Sequence, residues 1–217
     1  MSFPNGTLLL LAMLITTTHR LFGGSLCWQS LPQLPDTEGF AGSFSGVSRG
    51  ALFVAGGANF PKKRPWEGGT KVWHDRVFAL EPRSMEWRDA GRLPYANGYG
   101  VAATVDEGFV LVGGGDSQRN FAEVWLACWD GESMKFAAWP ALPKPLSQAA
   151  GAVVGRTLYL AGGLDRPGAT QAQRIFFALD LDHRKDGWQT LEPCPGPERF
   201  LAVAASHDGA FYLFGGA

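Results

Sequence analysis

A hydrophobic run closed by two glycines occurs four times in this chain: LFVAGG at Leu52–Gly57, FVLVGG at Phe109–Gly114, LYLAGG at Leu158–Gly163 and FYLFGG at Phe211–Gly216. The second glycines, at 57, 114, 163 and 216, are spaced by 57, 49 and 53 residues. A repeat near 50 residues restricts the fold more than any local propensity, because each repeat must be one supersecondary unit that buries its apolar face on its neighbours. Other pieces recur in phase. A small-residue segment precedes each glycine pair, at Phe40–Val47, Tyr99–Val105, Ala149–Val154 and Phe200–Ser206. An aromatic-rich segment follows three of them, at Arg76–Leu80, Glu123–Trp129 and Arg174–Leu181. A Trp then opens a fourth segment ending in Leu or Pro: Trp87 with Leu93 and Pro94, Trp139 with Leu142 and Pro143, Trp188 with Leu191 and Pro193.

Four short strands per repeat make a kelch-type blade, and the fold class is all-β, an incomplete kelch β-propeller. Gly and Ala suit the crowded innermost strand. The glycine pair ends the second strand at a sharp turn of positive φ, and the Trp of the outermost strand fills the wedge between blades. Blades fall at about 39–94, 97–143 and 148–193, with a half blade at 199–217. Cys27–Pro32 reads as a lone outer strand, so residues 26–217 form the partial propeller. Rings of this kind close by pairing strands from the two termini, which removes open edges. A four-bladed ring would still lack the third strand of its last blade, so a truncated ring with edges open to self-association is the expectation.

Composition narrows the partners. With 19 Lys+Arg against 20 Asp+Glu, no concentrated basic face argues for nucleic acid. Cys27, Cys128 and Cys194 are odd in number, widely spaced and without a CxxC, which speaks against zinc or a disulfide framework; no cofactor is expected. The apolar run Thr7–Ile15 is too short to span a bilayer and has the length of a signal-peptide core. Gly23, Gly24 and Ser25 suit a signal peptidase, although no Lys or Arg lies between Met1 and Leu8. Residues 1–25 are read as an export signal or an apolar tail: periplasmic or extracellular in the first case, cytoplasmic in the second.

More specific than the glycine pairs are the stretches GFAGSFSGV…LFVAGGANFP (Gly39–Pro61), PWEGGTKVWHDRVFAL (Pro65–Leu80) and NGYGVAATV (Asn97–Val105). They resemble the cyclically permuted sialic acid mutarotase family, bacterial kelch propellers similar to N-acetylneuraminate epimerase. The resemblance implies a six-bladed ring, of which this chain holds little more than half. Gly39–Pro143 resembles the last two blades of the unpermuted epimerase and Ala150–Gly216 its first two. The family's proposed catalytic Glu and Arg lie on a blade that would follow Ala217, so no position here inherits those roles.

The implied reaction interconverts the α and β anomers of N-acetylneuraminate. Ring opening asks for an acid at the ring oxygen and a base at the anomeric hydroxyl, and the substrate carboxylate asks for a cation. Residues leading into the innermost strands should converge on the central channel: Gly39, Asn97 with Tyr99, Gln148, and Glu198 with Arg199. The resemblance matches Arg199 to an arginine at the same place in the family; a structural arginine bonding backbone carbonyls is the alternative. For Asn97 and Tyr99 the alternative is turn formation and packing. The insert Ala58–Asp75 supplies further candidates, Asn59, Glu67, Lys71 and His74, since loops that carry rings and charges often build the site on a rigid scaffold. Solvated or sealing roles stay open for them. A non-catalytic kelch module that binds a protein or glycan through its loops is the competing function. A copper radical oxidase is not supported, because His19, His74, His183 and His207 are scattered.

Overall fold

The computed structural model describes residues 27–217; the apolar run at 7–15 and the small residues at 23–25 lie outside them. In blade 1, β1 (Phe44–Ser48), β2 (Ala51–Ala55), β5 (Arg76–Leu80) and β6 (Trp87–Arg92) form one antiparallel sheet in that order, with the two-residue ladder β3 (Ala58–Asn59) and β4 (Val72–Trp73) set apart in the insert. Blade 2 is β7 (Val101–Val105), β8 (Gly108–Val112), β9 (Val124–Trp129) and β10 (Met134–Trp139). Blade 3 is β11 (Ala150–Val154), β12 (Thr157–Ala161), β13 (Phe176–Asp180) and the short β14 (Gln189–Thr190). A two-stranded hairpin follows, β15 (Val203–His207) with β16 (Ala210–Phe214). No α-helix occurs among the described residues, and no helix there is long and apolar enough to cross a membrane.

Period-2 burial puts the core between blades. One cluster joins Phe44, Phe53 and Ala55 of blade 1 to Phe109, Leu111 and Trp129 of blade 2. A second joins Val101, Val110, Val112 and Leu126 of blade 2 to Leu158, Leu160, Phe177 and Leu179 of blade 3. The outer tryptophans serve the same seams only half-buried, and two are fixed by their indole N–H. Trp188 donates to the Pro140 carbonyl (2.9 Å) and Trp87 to the Pro32 carbonyl (2.8 Å). Pro32 therefore stands to blade 1 as Pro140 stands to blade 3. Residues 27–32, read as a lone outer strand, are not in strand conformation here. An outer strand needs a third strand to pair with, and none of the described sheets offers it a free one.

The glycine pairs do more than turn the chain. All four hold the same conformation, φ 60–68° at the first glycine and 89–95° at the second. In the first three, the second glycine donates its N–H to a carbonyl of the next blade: Gly57 to Asn97 (2.7 Å), Gly114 to Leu146 (2.8 Å), Gly163 to Arg199 (2.9 Å). A Cβ on the first glycine would lie 2.3–2.4 Å from that same carbonyl oxygen. The motif is thus the backbone clasp between blades, and only glycine fits it.

Candidate functional site

The innermost strands begin later than the small-residue segments suggest, because each is preceded by one residue in the left-handed region: Gly42, Tyr99, Gln148 and Leu201, at φ 64, 61, 55 and 56°. For the three that are not glycine this costs about 1–3 kcal/mol each and persists only where surroundings impose it. Here the surroundings are successive blades. Tyr99 N–H donates to Gly42 O (2.7 Å), Gln148 to Tyr99 O (2.6 Å) and Leu201 to Gln148 O (3.0 Å), a chain of backbone bonds running from blade to blade. Tyr99, Gln148 and Leu201 consequently line one cavity of about 430 Å³, together with Lys71, Trp73 and Arg166. A second depression of about 250 Å³ lies beside it, lined by Glu38, Asn59, Trp66, Lys71 and Tyr99.

Lys71 and Tyr99 border both. The Lys71 ammonium donates to the Tyr99 hydroxyl (2.5 Å) and stands 4.2 Å from the Tyr99 ring centroid and 5.1 Å from that of Trp73. Among the described residues it has no carboxylate within ion-pair distance. The other charges nearby are engaged. Arg166 meets Asp165 at 3.2 Å, and Asp165 also faces Lys144 at 3.9 Å. Asp116 accepts the backbone N–H groups of Gln118 (2.7 Å) and Arg119 (2.9 Å), closing its own loop. Buried Asn120 donates to Leu164 O (2.8 Å) and so ties the loop of blade 2 to that of blade 3.

The insert of blade 1 is built to hold Lys71 in place. Asn59 donates to Gly39 O (2.9 Å) and its carbonyl oxygen lies 2.7 Å from His74 Nε2, whose ring packs edge-on against Phe40. Glu67 accepts the Arg64 N–H (2.9 Å) across a single 3-10 turn (Pro65–Glu67), and the Arg64 guanidinium meets Glu38 at 2.5 Å. Gly69 lies so close to this turn that a Cβ there would sit 1.9 Å from Lys63 O.

Of the residues singled out by sequence, the structure brings Lys71, Tyr99, Gln148, Asn59 and Gly39 to the cavities, with His74 behind Asn59 and Glu67 capping the exposed turn. Three stand elsewhere: Asn97, Arg199 and, in the same crevice as Arg199, Glu198. Asn97 is buried between blades, its amide donating to Gly113 O (2.9 Å). Arg199 occupies the equivalent position at the hairpin, where it donates to Pro197 O and Gly215 O, both at 3.3 Å, and lines a crevice of about 10 Å³ away from the main cavity. Burial pushes the nearby Cys194 thiol up, against the opposing pull of Arg199, so no thiolate is prepared there. Sequence reasoning missed Asp116, Asn120 and Arg166. The available signal was position: each follows a glycine pair, in phase with the longer insert of blade 1.

This chain is similar to known proteins along most of its length. The family described as N-acetylneuraminate epimerase matches residues 15–136 and 139–217. The N-acetylneuraminate epimerase of Haemophilus influenzae is 34% identical over a match covering 49% of this chain and 32% of that protein. That of Yersinia pestis is 39% identical, covering 42% and 27%, and that of Brucella suis 34%, covering 51% and 32%. The match thus spans about a third or less of the length of these relatives. A solved structure of YjhT superposes with a TM-score of 0.66 at 15% identity, over 83% of this chain and 63% of that one. That likeness shows the fold, a β-propeller.

Proposed function

The chain belongs to the N-acetylneuraminate epimerase family, and we propose that it binds N-acetylneuraminate, or a closely similar acidic sugar, in the cleft bordered by Lys71, Tyr99 and Gln148. The observation that carries this reading is the unpaired Lys71 ammonium held between two aromatic rings where both cavities meet. A sugar acid supplies what that place lacks, a carboxylate for the ammonium and a ring face for Trp73. Kinship to an isomerase that interconverts the anomers of this sugar is the accompanying proposal.

Turnover asks for more. A group must protonate the ring oxygen while another takes the hydroxyl proton. The carboxylates that border the cavities are already held: Glu38 by Arg64, and Asp116 by its own loop. Glu67, beside them, is held by the Arg64 N–H. This favours, as a second reading, a kelch module that holds a glycan without converting it. Export through the Thr7–Ile15 run and contact with another copy through free sheet edges belong to the same reading.

Ligand-observed NMR titration with N-acetylneuraminate tests it. Lys71→Ala should weaken binding by about tenfold or more, since one hydrogen bond to a charged group is worth about 1.5–3 kcal/mol, whereas Arg199→Ala should change it less than twofold. Failure of the unaltered chain to bind at millimolar sugar would sink the proposal, and the reverse order of the two variants would move the site to the crevice of Arg199. Anomer exchange in the same samples separates the two readings: acceleration by this chain makes it an isomerase, and binding without acceleration makes it a holder.

A further inference from the structure

The two seams that join complete blades end differently on the side away from the glycine pairs. Between blades 2 and 3, ion pairs tie that end shut. Arg156 of blade 3 meets Asp106 of blade 2 at 2.7 Å and Asp182 of its own blade at 2.9 Å. Arg184, also of blade 3, meets Glu107 of blade 2 at 3.2 Å and lies 4.6 Å from the ring centroid of Trp139.

Between blades 1 and 2 the same end holds a crevice of about 300 Å³, lined by Arg49, Ala51, Glu81, Pro82, Arg83 and Trp129. Matching the ladders residue by residue sets Arg49 and Arg83 of blade 1 against Asp106 and Asp130 of blade 2. The charge is reversed at both places. Asp106 finds its partner in Arg156, but the residue at the Arg156 position in blade 2 is Glu107. Glu107 is held by Arg184 of blade 3 and does not pair with Arg49. Among the described residues, Arg49 therefore keeps one long bond, to the Asp130 carbonyl at 3.4 Å, and Arg83 makes no side-chain hydrogen bond or ion pair. The other charges nearby are matched. Glu81 pairs with Arg88, whose guanidinium also donates to Gly131 O at 2.9 Å and stands 4.6 Å from the Trp129 ring centroid. The Asp130 carboxylate accepts the N–H groups of Glu132 and Ser133 and faces Lys135 at 3.4 Å. Two guanidinium groups are thus uncompensated beside an apolar floor of Ala51, Pro82 and Trp129.

We propose that this crevice is a second ligand site, which takes a small organic acid: its carboxylate meets Arg49 and Arg83, and its apolar body rests on Pro82 and Trp129. The planar fork of arginine matches a carboxylate, and the floor rewards an apolar body that an inorganic anion lacks. The volume is at the small end for ligand sites and suits a single ring with its acid group. The β1–β2 and β5–β6 turns build the crevice, whereas the insert with Lys71 leaves from the other end of β2. The two sites therefore lie at opposite ends of the strands and fill independently.

Saturation-transfer NMR on the full chain tests this with three probes: N-acetylphenylalanine, its neutral amide, and inorganic phosphate in competition. The acid should bind with a Kd of about 1 mM, as expected of a ligand of this size. The amide should bind at least about fivefold more weakly, and phosphate should displace the acid poorly. R49Q and R83Q should each weaken the acid by about threefold to fivefold, and the double change by about tenfold, the scale of exposed charge contacts. Both side chains are exposed, so the melting temperature should not move. K71A should leave binding of the acid unchanged. No binding at about 10 mM acid overturns the proposal. So does equal binding of acid and amide, or phosphate binding as tightly as the acid. Loss of binding in K71A, with none in the arginine variants, places the acid in the other cavity and overturns it as well.

Discussion

The β7–β8 hairpin of blade 2 and the β15–β16 hairpin are the same object in two surroundings. Their registers correspond residue for residue, and both are followed by glycine pairs of the same φ. One is sealed by the next blade, and the other is bare on that face. The difference teaches that strand pairing and the conformation of the glycine pair are specified within each repeat. Burial contributes stability afterwards, at about 25 cal/mol per Å² of apolar surface covered. It does not dictate the backbone.

The largest test sets a ring in a closed seam against one on the bare face. Phe109 is fully buried and stacks on Phe53 at 5.8 Å between centroids. Phe109→Ala should destabilise by about 3–5 kcal/mol in urea titrations. Phe214→Ala should stay within about 0.5 kcal/mol in the monomer. Similar losses at both would mean that the hairpin is covered in solution at the working concentration.

Next come the clasps. Gly113→Ala places a Cβ 2.4 Å from Leu146 O, a backbone atom fixed by its own blade, at φ 60°. Left-handed strain alone costs about 1–2 kcal/mol, and the clash raises the total to about 3 kcal/mol or more. Gly215→Ala meets only the strain, so about 1–2 kcal/mol is expected from the same melts. Equal effects would show that the first glycine serves the turn and not the seam.

A smaller contrast is offered by Asn97 and Arg199, which occupy equivalent positions. Asn97→Ala leaves the buried Gly113 carbonyl without its 2.9 Å donor, and about 1–3 kcal/mol should be lost. Arg199→Ala removes two 3.3 Å contacts at a half-exposed site and should cost under about 0.5 kcal/mol. A larger loss at Arg199 would reveal a seam there that the hairpin now lacks.

What could be read in the sequence follows from the same division. Glycine pairs and aromatic third strands announce themselves because each satisfies a requirement inside its own repeat. The left-handed residues do not, since Tyr99, Gln148 and Leu201 are poor choices for positive φ on local grounds and are held there by hydrogen bonds from the neighbouring blade. The innermost strands were therefore expected to start as early as Phe40 and Tyr99, whereas pairing begins at Phe44 and Val101. The same offset put Arg199 at the cavity, where Leu201 stands. The loops carrying Asp116 and Arg166 are shorter than the insert of blade 1, and their one aromatic ring, Phe121, is buried, so nothing but their phase marked them. Lys71 was legible because its insert is long and aromatic, though its isolation from carboxylates depends on how Glu38, Glu67 and Asp116 are occupied.

The smallest effect concerns the outer end of a closed seam and its response to acid. Backbone N–H groups of Ser133 and Glu132 hold the Asp130 carboxylate, with Lys135 nearby, and lower its pKa from 3.8 to about 2. Arg88 of blade 1 reaches this turn by donating to Gly131 O at 2.9 Å. A pKa depressed by folding makes a stabilising contribution that is complete above about pH 4 and fades as pH falls through about 2. Because the group is exposed, the change in melting temperature should be slight, and the Asp130 carboxyl resonance is the sharper probe. It should titrate near pH 2 in the folded chain. Asp130→Asn should flatten the acid response of melting below pH 4 without altering it at pH 7. Titration near 3.8 would show that the turn is loose in solution, and that this seam is clasped along its inner edge alone.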